Sequence, residues 1–199
     1  LEFRRVLFRS VVFVGNSGVG KTALFHRFEK NEFCRDISST IGGACTNVNV
    51  DLDTNEQVPL IVWDTAGQES FRAIVPMYFS RAAFILIVYD VSSMVSFQAV
   101  KDWYNLSKEK APENAKIILI GNKSDLEKRE VSYQDLDQLA SELDTFLHTE
   151  TSAITGSGIH DLLTSIAVSA KNDELICPDG KEDEKKELKE NEHPQKECC

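Results

Sequence analysis

Apolar residues fall along this chain with two different periods. The runs "VVFV" at 11–14, "FILIVYD" at 84–90 and "KIILIGN" at 116–122 are almost unbroken. Strands covered on both faces read this way. Between them lie stretches with helical spacing: 21–33, where Leu24, Phe25 and Phe28 share a face, and roughly 92–109, 132–144 and 157–170. "TNVNVDLD" at 46–53 alternates strictly, turns at "DTN", and is answered by "VPLIVWD" at 58–64. That pattern predicts a hairpin of two longer strands. "TFLHTE" at 145–150 reads as a last short strand. Strands alternating with helices, plus one hairpin, predict an α/β fold: a six-stranded, mostly parallel sheet with helices on both faces. No internal repeat is present.

Two segments stand outside this pattern. Residues 1–10, "LEFRRVLFRS", interleave arginines with large apolar residues and carry no cap or turn logic. A targeting signal would need a continuous apolar region and a small-residue cleavage site. The segment is expected to be a non-native or disordered start whose last residues extend the first strand. From Lys171 the chain is mostly charged and has few large apolar residues. Such a stretch cannot bury enough surface to offset its ordering entropy. Residues 171–199 are therefore expected to be a disordered tail, with a solvated terminal helix as the alternative. The domain is placed at 11–170.

The net charge of −10 and pI of about 4.9 argue against a nucleic-acid binder, which carries a basic face. No apolar run approaches the ~18 residues that read as a transmembrane helix. The five cysteines fit neither a disulfide framework nor a CxxC zinc site, which points to a reducing compartment.

Chemistry enters at "GNSGVGKT", Gly15 to Thr22. It matches G-x-x-x-x-G-K-[ST] and sits between a predicted strand and a predicted helix, the context a phosphate loop requires. Glycines let the backbone approach an anion, and the helix start offers free N–H groups and a positive dipole end. The cradle would run through Ser17, Gly18, Val19, Gly20, Lys21, Thr22 and Ala23. Lys21 can reach the β and γ phosphates, and Thr22 can place its hydroxyl on Mg²⁺. The bland alternative is a glycine-rich turn with a surface lysine.

Three more stretches follow predicted strands. In "WDTAGQE", 63–69, Asp64 suits the carboxylate that helps hold Mg²⁺. Gly67 can offer an N–H to the γ-phosphate, and Gln68 can orient a water for in-line attack. In "GNKSDL", 121–126, Asp125 can accept both the N1–H and N2–H₂ donors of guanine, a pair that adenine lacks. Asn122 can tie the loops together, and the stem of Lys123 can lie on the base. In "ETSA", 150–153, Ser152 and Ala153 close the set, the Ala153 N–H meeting guanine O6. Each stretch alone is ordinary turn or loop composition. In this order, each at a strand's C-terminal end, they converge where open α/β sheets bind ligands.

With those motifs the sequence resembles the Ras superfamily of small GTPases and, within it, the Rab family. The resemblance covers about 11–170 and the last two cysteines. It implies a P-loop small G domain that binds and hydrolyses GTP, takes GTP/GDP and Mg²⁺, and acts as a switch in vesicle trafficking. Thr40 in "STIGG" resembles the switch I threonine, which meets Mg²⁺ and the γ-phosphate in the GTP state. Phe33 resembles the aromatic that edges the base. Lys21 and Gln68 are the implied catalytic pair, and Thr22, Thr40 and Asp64 the implied metal set. Implied partners are a guanine-nucleotide exchange factor, a GTPase-activating protein, a GDP-dissociation inhibitor and effectors. "STIGGA" and "VPMYF" resemble the early-endosomal branch best. The ending "ECC" resembles a double-cysteine signal, implying geranylgeranyl groups on Cys198 and Cys199 and a place on the cytoplasmic face of intracellular membranes, with a cytosolic pool. The tail's six lysines stand against ten acids, so lipid rather than charge would supply attachment.

Three departures stand out. Ala44 and Cys45 occupy places where the family commonly has an acid and a phenylalanine, so the apolar triad of Cys45, Trp63 and Tyr78 has a shrunken first member. Ile154 stands where a lysine usually follows "ETSA". A second reading is a nucleotide-locked scaffold that binds without cycling. An ATP-dependent enzyme is disfavoured by "NKSD".

Overall fold

The computed structural model describes residues 9–33, 43–52, 56–65 and 75–172. The expected "DTN" turn, Thr40, Gly67, Gln68, Cys198, Cys199, residues 1–8 and the tail from 173 lie outside the described residues. Twelve elements follow in order: β1 (Arg9–Val14), α1 (Lys21–Lys30), β2 (Gly43–Leu52), β3 (Glu56–Thr65), α2 (Val75–Phe79), β4 (Ala82–Asp90), α3 (Met94–Gln98), α4 (Val100–Lys110), β5 (Lys116–Asn122), α5 (Tyr133–Glu142), β6 (Leu147–Thr151) and α6 (Ile159–Asn172).

The six strands form one sheet in the order β2-β3-β1-β4-β5-β6. Only β2 and β3 pair antiparallel; every other neighbouring pair is parallel. Alternation along β1 sorts its side chains into two cores. Val11 and Phe13 pack with Leu24 and Phe28 of α1 and Leu162 and Ile166 of α6. Val12 and Val14 pack with Phe79 of α2, Trp103 of α4, and Leu136 and Leu139 of α5. β4 is buried almost throughout, Phe84 to Val88 being at most 1% exposed, which is why its sequence shows no alternation.

Element boundaries depart from the periodicity where local backbone intervenes. The pattern at 21–33 predicts a helix through "NEF", but α1 stops at Lys30. Asn31 turns left-handed (φ 54°) and sends its N–H back to the Arg27 carbonyl, a cap that asparagine tolerates. The helix expected over 92–109 is two, α3 and α4, parted at Ala99. Its ψ of −11° opens the turn, while its N–H still reaches the Val95 carbonyl at 3.3 Å. α5 begins with a capping box: the Ser132 side chain accepts from the Asp135 N–H, and the Asp135 carboxylate accepts from the Ser132 N–H. α2 has five residues, too few to show a period. Arg9 and Ser10 belong to β1, with Arg9 in register with Leu60. α6 runs on to Asn172. The described body therefore extends two residues beyond each limit drawn from composition.

Candidate nucleotide site

The loop from Gly15 to Gly20 joins β1 to α1 at the C-terminal edge of the sheet. Its shape depends on glycine. Gly15 has φ 140°, and a Cβ there would lie 2.2 Å from the Val88 carbonyl oxygen of β4. Gly20 has φ 98°, and its Cβ would strike Asn122 Nδ2 at 2.3 Å. No side chain fits either place, so the loop can pass this close to β4 and to the end of β5 only as glycine.

Lys21 opens α1 and is buried. Its ammonium donates to the carbonyls of Gly15 and Asn16, both at 2.9 Å, curling over the loop it follows. Burial lowers its pKa to about 8, opposed by the Asp64 carboxylate. A group whose folded pKa is depressed below its unfolded value of 10.5 costs stability while it is charged in both states. That cost falls away as pH rises through the window from about 8 to 10.5, because the unfolded chain there binds the extra proton. The nucleotide-free protein should therefore gain stability relative to the GDP complex between pH 8 and 10, since bound phosphates hold the ammonium charged. Thermal unfolding of both forms across that range checks this; parallel pH curves would contradict it.

Thr22 and Asp64 meet across the sheet. The Thr22 hydroxyl donates to Asp64 Oδ2 at 2.7 Å, and Asp64 is 1% exposed near the end of β3. A hydroxyl and a carboxylate side by side beside an ammonium are hard oxygen donors at the edge of a phosphate cradle. That is the donor chemistry Mg²⁺ takes when phosphate and water complete its shell.

The residues expected at the base stand at the ends of β5 and β6. Asn122 donates from Nδ2 to the Val19 carbonyl at 2.9 Å and accepts on Oδ1 from Thr151 Oγ1 and the Ala153 N–H, each at 3.3 Å. One buried amide thus fastens the glycine loop to the ends of β5 and β6. Lys123 adopts a left-handed backbone (φ 66°), and its ammonium pairs with Asp90 Oδ2 at 2.6 Å. Burial alone would raise the Asp90 carboxyl, but hydrogen bonds from Lys123 and from the Ser92 hydroxyl and N–H outweigh it and hold it below its ordinary value. Ser152 donates its hydroxyl to Asp125 Oδ1 and accepts from the Thr155 N–H at 3.0 Å. Ser152 therefore orients the carboxylate assigned to guanine. Phe33 packs partly buried against the α1 side of the core.

Several contributors were not legible beforehand. The Trp103 indole of α4 donates to Asn16 Oδ1 at 2.9 Å, holding the second residue of the phosphate loop. Glu150, first residue of "ETSA", is held by the Arg129 guanidinium, one bond of the pair being 3.0 Å, which ties β6 to the segment before α5. Arg27 of α1 reaches the Ala153 and Ile154 carbonyls. Each looks in sequence like an ordinary polar or core position.

Away from this site, Cys45 is exposed and lies opposite Trp63 in the β2–β3 register. The Trp63 and Tyr78 rings sit 5.5 Å apart. The three residues of the expected triad are thus gathered beside the hairpin. A separate apolar groove of about 560 Å³, lined by Phe146, Leu147 and Val168, lies at the opposite end of β5 and β6, far from this chemistry.

A glycine loop with a buried lysine and a threonine–carboxylate pair at the C-terminal edge of a mostly parallel sheet define a P-loop protein. The family model described as Ras family matches residues 10–172, and the chain belongs to the Ras family. It is 39% identical over 161 residues to the GTP-binding protein ypt5 of Schizosaccharomyces pombe, covering 80% of this chain and 76% of that one. It is 42% identical over 174 residues to the human Ras-related protein Rab-15, covering 85% and 81%. Against the Ras-related protein Rab-4 of Dictyostelium discoideum it is 38% identical over 152 residues, covering 76% and 73%. The chain is a Rab small GTPase, a GTP-hydrolysing protein of vesicle trafficking.

Proposed function

We propose that this Rab GTPase is a membrane-anchored, endocytic switch that cycles between GTP and GDP. The observation that carries the switch is the convergence of Lys21, the Thr22–Asp64 pair and the Asn122–Ala153 loops on one edge of the sheet. In this reading Thr22, Asp64 and Thr40 hold Mg²⁺, whose charge offsets that of the phosphates. The cradle of 17–23 and Gly67 bind the phosphates. Asn122, Lys123, Asp125, Ser152, Ala153 and Phe33 enclose the guanine. Gln68 orients the attacking water and Lys21 neutralises charge developing on the phosphates. The G domain occupies about 9–172, and the segment after it is a tether.

The endocytic placement rests on "STIGGA" and "VPMYF". Early endosomes are the proposed compartment, and exchange factor, GTPase-activating protein, GDP-dissociation inhibitor and effectors are the proposed partners. Cys45 leaves the triad with Trp63 and Tyr78 but without its first aromatic ring, the kind of residue worth roughly 2 kcal/mol or more at an interface. Effectors built around such a ring should bind here weakly.

Anchoring rests on Cys198 and Cys199. Two lipid chains hold a protein on a membrane stably where one does not, and the acidic tail adds no electrostatic attraction. Tagged chain carrying Cys198→Ser and Cys199→Ser should become cytosolic and keep its bound nucleotide, while the unaltered protein overlaps endocytosed cargo. Fractionation and imaging check both. A double variant still on membranes would remove the lipid anchor from the proposal, and an unaltered protein apart from cargo would remove the endocytic placement.

A further inference from the structure

Arg27 lies on α1, six residues after the phosphate-loop lysine, and each of its three guanidinium nitrogens donates to a backbone carbonyl. Nε donates to the Ala153 carbonyl at 3.0 Å, Nη2 to the Ile154 carbonyl at 2.7 Å, and Nη1 to the Asn31 carbonyl at 2.6 Å. Asn31 returns its own N–H to the Arg27 carbonyl, so side chain and backbone both close on the helix end. A guanidinium is a rigid planar fork of five N–H donors. One such fork here grips two consecutive peptides of the β6–α6 loop and the residue that ends α1.

Those two ends are the walls on either side of the base. Ala153 is the residue whose N–H is assigned to guanine O6, and Phe33, assigned to the base edge, follows Asn31 by two positions. The loop makes its own turn, with the Ser152 N–H donating to the Ser157 carbonyl at 3.0 Å and the Gly156 N–H to the Ser152 carbonyl at 2.8 Å, but neither bond uses the Ala153 or Ile154 carbonyl. The Ala153 N–H makes a long 3.3 Å bond to Asn122 Oδ1, Gly156 and Gly158 turn with positive φ, and Ile154 is 53% exposed. In place of the family's lysine, Ile154 brings no side-chain hydrogen bond to the loop, so its carbonyl and that of Ala153 depend on Arg27.

We propose that Arg27 is a positioning residue for guanine recognition, bracing the Ala153–Ile154 loop against the end of α1 so that the Ala153 N–H meets O6. The inference rests on the guanine-site reading above. Hydrogen bonds to a charged donor exceed neutral ones, so losing the brace should loosen the O6 contact more than the phosphate contacts made at the other end of the nucleotide.

The test compares release of GDP with that of 6-thio-GDP, in which sulfur, a poor acceptor, replaces O6. The unaltered protein should hold GDP longer than the thio analogue; equal release would sink the O6 reading itself. Arg27→Met keeps the apolar stem and removes every donor. It should release GDP about tenfold faster, equivalent to ~1.4 kcal/mol, with much less effect on 6-thio-GDP, so that the preference between them collapses. Arg27→Lys keeps the charge but cannot span three carbonyls, and should follow Arg27→Met; it also carries the test if the methionine variant does not fold. A preference that survives in both variants, equal acceleration of both nucleotides, or a lysine variant matching the unaltered protein would each overturn the proposal.

Discussion

Asp125→Asn should weaken GTP binding by roughly 10²–10⁴-fold and shift preference toward xanthosine triphosphate. A carboxylate beyond β5 can accept from N1–H and N2–H₂ together. Each charge-assisted bond contributes about 1.5–3 kcal/mol, and two of them convert to that range of affinity. Asparagine keeps one acceptor and gains a donor. Xanthine carries an oxygen where guanine has its exocyclic amine, so the new N–H finds a partner there and loses one on guanine. Ser152 Oγ donates to Asp125 Oδ1 and accepts from the Thr155 N–H, so the amide is held in a defined orientation. Competition between GTP, XTP and ATP on the unaltered protein and the variant measures the shift. Equal affinity of the unaltered protein for ATP and GTP would remove Asp125 from its role.

Gln68→Leu should slow single-turnover hydrolysis by roughly 10- to 100-fold while GTP affinity hardly changes. The expected role of Gln68 is to place a water in line with the γ-phosphate, and misplacing a reactant by about 1 Å can cost ~10²-fold. Binding energy lies elsewhere, in the cradle, in Lys21 and in the base loops, none of which includes this side chain. A lowered rate at constant affinity is the signature of an interaction made in the transition state alone. Phosphate release from preloaded protein, beside equilibrium GTP binding, separates the two quantities. Equal rates in variant and parent would place the water elsewhere, and lost affinity would place Gln68 on the nucleotide.

The sequence by itself determined the order and type of most elements, because each depends on contacts within a few residues. The apolar runs at 84–90 and 116–122 had to be strands covered on both faces, and β4 and β5 are. The alternation at 46–53 had to make a half-exposed strand, and Val48 and Val50 of β2 point inward while Asn47 and Asn49 do not. The phosphate loop was legible for the same reason: strand, glycines, lysine and helix are contiguous, so covalent connection alone brings its parts together. Backbone detail was not. The left-handed turn at Asn31 and the break at Ala99 each hang on one residue's φ or ψ, which a periodic pattern averages away.

Tertiary structure alone decided how the site is held. Trp103 meets Asn16 across 87 positions of sequence, Asn122 meets the Val19 carbonyl across 103, and Arg27 meets Ala153 across 126. Trp103 and Arg27 are ordinary types where they stand, a tryptophan in an amphipathic helix and an arginine near a helix end; for Asn122, at the end of β5, the motif suggests a tie between loops but not which distant atoms it meets. What makes them functional is the parallel sheet, which carries the C-terminal ends of β1, β3, β5 and β6 to one edge. A donor on one loop then finds an unpaired carbonyl or amide on another. Local periodicity reports which face of an element is buried, but it does not encode which distant backbone group that face will meet.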